Sequence, residues 1–141
     1  MALVAFDTNV LAYAALLLEK PDDRSKAFVA EDLIRQALRN ETLVLAAQTC
    51  LELHWLLVRK AKLKQADATP ILKEYLDGAT IIPTDVTIMQ IGFALAERHR
   101  LQTFDAIILA AAAEAGCAVL YTEDMQDGFE WEGLRVVNPF A

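Results

Sequence analysis

Two cysteines, Cys50 and Cys117, are too few for a disulfide framework, and each lies in an apolar segment where a reduced thiol packs as a small hydrophobe. Serine occurs once, as Ser25, in a charged helix start with no strained turn around it, which disfavours a serine hydrolase. The five glycines, Gly78, Gly92, Gly116, Gly128 and Gly133, compose neither a Walker loop nor a dinucleotide fingerprint, so nucleotide-driven chemistry lacks its platform. His54 and His99 are the only histidines. His54 follows Cys50 by one helical repeat, yet structural zinc takes four ligands and the others have no suitable spacing, so packing explains the pair better. The apolar run from Val10 to Leu18 is shorter than the roughly 20 residues a bilayer requires, and Asp7 and Glu19 flank it, which argues against a membrane span. The first seven residues show no basic segment leading into a long apolar core, so the expected location is the cytoplasm.

Positive charge is also short. A net charge of −7 argues against a passive basic surface that holds any nucleic acid by neutralising phosphates. It leaves a nuclease open, because acids that converge on divalent cations have their charge offset locally. What the chain has in surplus is apolar residues, 55 % against roughly 45–50 % in an ordinary soluble protein. A length of 141 residues suits one domain, 1–141, with a generous core and some apolar surface left for a partner, which makes a homodimer plausible.

The patterning alternates strand and helix. Leu3–Phe6 reads as a strand stopping at Asp7, followed by a period-3.6 stretch from Asn9 to Leu18 that Pro21 closes. Asp22, Asp23 and Ser25 open a helix that ends near Asn40, and Thr42–Ala46 is a buried strand leading into a helix from Gln48 to Lys60. Thr69-Pro70 opens another helix, which Gly78 stops before a strand at Ala79–Ile82. Thr84 or Asp85 caps a helix to about Arg100, and an alanine-rich helix runs from Asp105 to Gly116, where a left-handed residue ends it. Ala118–Tyr121 is a fourth strand, Leu134–Val137 a fifth, and Gly128–Gly133 a loop between them. Such alternation means an α/β domain with a mostly parallel, buried sheet.

Ligands of open α/β sheets bind beyond the carboxyl ends of the strands, and Asp7 and Asp124 stand there, after the first and fourth strands. Each also has a plain reading, as a helix cap and as a turn aspartate. Glu52 interrupts the apolar helix Cys50–Val58, where a carboxylate is either solvated or paired. Asp105 opens the alanine-rich helix, where an N-cap is its plain reading. Together the four suit phosphodiester hydrolysis. Hard Mg²⁺ or Mn²⁺ takes carboxylate and water ligands, and crowded carboxylates without a cation would raise each other's pKa.

Asp7-Thr8-Asn9, Glu52 in a mid-chain helix, Phe104-Asp105-Ala106-Ile107-Ile108 and Leu120-Tyr121-Thr122-Glu123-Asp124 resemble, in order and spacing, the successive motifs of the PIN domain family, and stand-alone chains of this length in that family are mostly VapC-type toxins. The resemblance implies strand order 3-2-1-4-5 and an Mg²⁺- or Mn²⁺-dependent endoribonuclease. Asp7, Glu52, Asp105 and Asp124 would be its catalytic, metal-binding acids, with Asn9 and Thr122 as polar supports. It implies an RNA substrate, a dimer, and a cognate antitoxin that holds the toxin inactive. Gln48 and Cys50, flanking Thr49, depart from the family's usual stretch before Glu52, and Asp127 is open as a fifth outer carboxylate.

Two other classes stay in view: a non-catalytic PIN-like binding module, and an aspartate-dependent phosphotransfer enzyme. The latter usually has a further aspartate beside the first and a late lysine, whereas here Asn9 holds the nearby position and no lysine follows Lys73. Among Arg24, Lys26, Arg35, Arg39, Arg59, Lys60, Lys62, Lys64, Arg98 and Arg100, the run Arg59–Lys64 is the best basic patch. Trp55 and Trp131 could stack on bases, although Trp55, in an apolar helix, reads first as a core or dimer contact.

Overall fold

Leu43, Val44, Leu45 and Ala46 are all buried, and they show why this chain forms a covered sheet: Leu43 and Leu45 enter one core, Val44 and Ala46 another. A strand apolar on both sides is stable only between two helical layers. The structure, a computed structural model, describes residues 1–15 and 20–141. In chain order it contains β1 (Val4–Phe6), α1 (Thr8–Ala14), α2 (Asp23–Arg39), β2 (Leu43–Ala46), α3 (Ala47–Arg59) and α4 (Gln65–Gly78). These are followed by β3 (Thr80–Ile82), α5 (Val86–His99), α6 (Thr103–Glu114), β4 (Val119–Tyr121), β5 (Glu130–Trp131) and β6 (Leu134–Val137).

The sheet order is β3-β2-β1-β4-β6-β5. All pairings are parallel except β5 with β6, and the register sets Ala5 beside Val44 and Leu120, and Leu120 beside Val136. The five predicted strands hold their implied order, Leu134–Val137 being β6. The difference is β5, inside the stretch expected to be a loop. Glu132 and Gly133 both have positive φ, 50° and 81°, the signature of a two-residue type I′ hairpin turn that folds Glu130 and Trp131 back on β6.

Helix α4 also departs from expectation, beginning at Gln65 and holding Pro70 in its interior. Ala68 and Leu72, one turn apart, are buried in the core, and their burial extends the helix upstream. Pro70 and Ala66 are exposed, so the Ala66 carbonyl that loses its partner meets solvent. Of the helix expected over Asn9–Leu18, the structure describes Thr8–Ala14; residues 16–19 lie outside the described residues.

Helix α6 occupies the centre, with every residue from Ala106 to Ala112 buried. Helix α5 approaches it closely because residue 92 is glycine: a Cβ added at Gly92 would stand 2.5 Å from Ile107 Cδ1 and 3.3 Å from Ile107 Cα. Arg100, at φ 55°, ends α5, and Gly116, at φ 81°, turns the chain after α6 as the sequence predicts. No helix among the described residues is long and apolar enough to cross a membrane.

Candidate functional site

Asp7 leaves β1 and caps α1. Its Oδ1 accepts the Thr8 backbone N–H at 2.7 Å, and its Oδ2 accepts the Thr122 hydroxyl, also at 2.7 Å. Capping α1 therefore engages one carboxylate oxygen, and the other is turned to the chain beyond β4. At 3 % exposure Asp7 pays for burial in its acidity: desolvation lifts its pKa from the ordinary 3.8 to about 6. The two hydrogen bonds oppose that rise, while the charges of Asp124 and Glu52 add to it.

Thr122, just past β4, is fully buried, and its hydroxyl also accepts the Asp124 backbone N–H at 3.1 Å. Asp124 Oδ2 accepts the Asn9 amide from α1. Burial raises the Asp124 pKa, helped by neighbouring Glu123 and opposed by the Asn9 bond and the Lys26 charge. From α3, Glu52 Oε2 accepts the Thr8 hydroxyl at 2.6 Å and its Oε1 accepts Gln48 Nε2 at 3.1 Å.

Asp105 differs from its plain reading, for it does not cap α6. Gln102 caps instead, its side-chain oxygen accepting the Asp105 N–H at 3.0 Å, which leaves the Asp105 carboxylate available in the first turn. Burial, and after it the charges of Asp7, Asp124 and Glu52, together raise its pKa to about 6.

Asp7, Thr8, Asn9, Glu52, Trp55, Leu56, Asp105 and Asp124 line one cleft of about 260 Å³. An adjoining cavity of about 320 Å³ shares Asn9 and Leu56 and adds Ala12, Tyr13, Asp23, Lys60 and Glu123. Asp127 stands apart from the cleft, its Oδ1 accepting the Asn138 N–H at 2.9 Å. His54 and Cys50 line a separate apolar cavity with Leu51, Leu72 and Leu76.

The donor set fits a hard divalent cation. Four carboxylates share one cleft, and the Coulombic rise at Asp105 is what such a cluster shows without positive charge among it. Among the described residues no three histidine, cysteine, aspartate or glutamate side chains are grouped tightly enough to hold one ion by themselves. Mg²⁺ does not require that, since it keeps several waters and is bound through one or two carboxylates.

Several contributors lie outside the residues singled out from sequence. Thr8 stood within the Asp7-Thr8-Asn9 motif, but nothing local indicated that its hydroxyl reaches Glu52, 44 residues on. Gln48, atypical for its position, lies one helical repeat before Glu52, the spacing at which it holds that carboxylate. Glu123 accepts Tyr13 Oη–H and pairs with Lys26 Nζ at 2.8 Å, tying the Asp124 loop to α1 and α2. Only the fold brings those three together.

Among curated proteins, nothing matches the sequence. Solved structures do resemble it. A toxin–antitoxin complex from Klebsiella pneumoniae contains a chain 25 % identical, with a TM-score of 0.65 over 96 % of this chain and 97 % of that one. VapC20 of Mycobacterium tuberculosis, described as a toxin cleaving the sarcin-ricin loop, is 15 % identical with a TM-score of 0.66 over 86 % of this chain and 91 % of that one. A chain of DNA-bound VapBC2 from Rickettsia felis, 16 % identical, gives 0.64 over 95 % and 96 %. The latter two speak for the fold alone. The sequence model of the PIN domain matches residues 4–129, nearly the whole chain, and on that match the protein belongs to the PIN domain family.

Proposed function

We propose that this protein is a divalent-metal-dependent endoribonuclease, the toxin of a VapBC-type toxin–antitoxin pair. The observation that carries the reading is the convergence of Asp7, Glu52, Asp105 and Asp124, from four different elements, on one cleft beyond the carboxyl ends of parallel strands. The family match and the resemblance to toxin–antitoxin chains support it.

In this reading the four acids hold Mg²⁺ or Mn²⁺, directly or through water. The ion supplies a Lewis acid for the phosphodiester and lowers the pKa of water in its shell. The chain's own contribution is orientation. Thr122 holds Asp7, Asn9 holds Asp124, and Thr8 with Gln48 holds Glu52, so these three carboxylates are oriented before substrate arrives. The raised pKa values of Asp7 and Asp105 mean that protons and the cation compete for the site below about pH 6.

A cognate antitoxin is the proposed protein partner and a homodimer the proposed assembly. Exposed apolar residues, Val86 and Phe93 on α5 and Leu51 on α3, supply surface for such contacts. The decisive experiment incubates purified protein with labelled transfer and ribosomal RNA in Mg²⁺, in chelator, and with the Asp7→Asn variant. Discrete products that need both the metal and Asp7 are expected. Equal cleavage by Asp7→Asn would sink the assignment.

A further inference from the structure

Trp55 has no place in either core of the fold. It is 57 % exposed, although its helix neighbours Leu53 and Leu57 are at 0 % and 1 %. Leaving an indole in water forgoes apolar burial that the same helix secures elsewhere. Its position adds to this: Trp55 follows Glu52 by three residues, so the two share a face of α3, and both line the acidic cleft.

The face continues with the same spacing. Leu56 lines both the cleft and the adjoining cavity, and Lys60 lines that second cavity. Arg59 places its guanidinium 5.8 Å from the centre of the Trp55 ring. Along one side of α3 the order is thus carboxylate, indole, guanidinium and ammonium.

We propose that Trp55 is a stacking platform for an unpaired RNA base next to the scissile phosphate, with Arg59 and Lys60 contacting the phosphates that follow. This rests on the ribonuclease reading above. A divalent cation would offset only part of the charge of four acids, so the strand gains from attractive contacts at the rim. An aromatic face accepts any base, and cations one turn further along hold the backbone. The platform selects for single-stranded substrate, because a base within a duplex cannot reach the indole.

The test compares wild type, Trp55→Ala and Trp55→Phe on a short unstructured oligoribonucleotide and on the same strand annealed to its complement. Expected for Trp55→Ala is a rise in KM of about 5- to 150-fold on the single strand with kcat little changed, the range a lost base stack corresponds to. Trp55→Phe, which keeps a stacking ring, is expected to stay near wild type. The annealed substrate is expected to be cut poorly by all three. Unchanged KM in Trp55→Ala would overturn the proposal. So would a change in oligomeric size with unchanged KM, which would assign the indole to a protein contact.

A second arm separates this idea from the ribonuclease reading. Trp131→Phe leaves Trp55 as the only indole, and its fluorescence is followed while the oligoribonucleotide is added. If wild type cuts no RNA, the ribonuclease reading fails and this arm alone decides. Quenching by the single strand then keeps the platform as a binding subsite, and no quenching removes it.

Discussion

The Thr122 hydroxyl joins two strands' trailing acids through a single atom: it donates to Asp7 Oδ2 at 2.7 Å and accepts the Asp124 backbone N–H at 3.1 Å. β1 and β4 are adjacent and in register, Phe6 beside Tyr121, so the two chain ends emerge together and the hydroxyl spans them.

Thr122→Val keeps the shape and removes both bonds. Asp7 then keeps its backbone bond from Thr8 but loses the side-chain donor that restrains its pKa, and the Asp124 amide loses its acceptor. The expected cost is about 1–3 kcal/mol of stability by urea unfolding. Divalent-cation affinity measured by calorimetry is expected to fall about 10- to 100-fold, as for other groups that orient metal-binding carboxylates. Thr122→Ser is expected to recover most of both; equal losses in the two variants would show that the methyl group, not the hydroxyl, matters.

The raised acids fix a sign for pH dependence in metal-free protein. Asp7 and Asp105 hold protons up to about pH 6 when folded and release them near 3.8 when unfolded. Their contribution is therefore complete below about pH 4 and is lost as pH rises through 6. For buried Asp7 the loss is on the order of 3 kcal/mol. Asp105→Asn, partly exposed, is expected to raise the metal-free melting temperature at pH 8 by ~2–5 °C while abolishing cleavage. Mg²⁺ is expected to stabilise wild type more at pH 8 than at pH 5. Thermal melts across that range, with and without Mg²⁺, test all three; a metal-free Asp105→Asn melting below wild type at pH 8 would contradict a raised pKa at Asp105.

Gly92→Ala probes whether α5 fixes the position of α6. The new methyl would meet Ile107 Cδ1 at 2.5 Å and, less yielding, its Cα at 3.3 Å, two residues from Asp105. A destabilisation of about 1–3 kcal/mol is expected, with reduced cleavage as α6 shifts. Gly78→Ala is the control, since its methyl meets only the end of the Leu38 side chain, at 2.8 Å, which can rotate away. Urea midpoints of both variants decide; indistinguishable values would mean that α6 gives way freely.

The sequence by itself determined what depends on neighbours along the chain. Period and composition located the five parallel strands and the ends of α5 and α6, because apolar repeats, basic residues in the last turn of α5 and the glycine after α6 act locally. Asp7, Glu52, Asp105 and Asp124 stood out for the same reason, as acids at strand ends and in apolar helices.

Tertiary structure decided what depends on partners far apart. The bond from Thr122 to Asp7 spans 115 residues and the one from Tyr13 to Glu123 spans 110, so no local pattern encodes them. β5 exists because the hairpin returns onto β6, and α4 begins early because Ala68 finds the core. Asp105 is free of capping because Gln102 performs it, a competition that composition does not settle. Burial itself was illegible for Trp55: its helix is apolar on more than one side, and only packing determined which side met solvent and the acidic cleft.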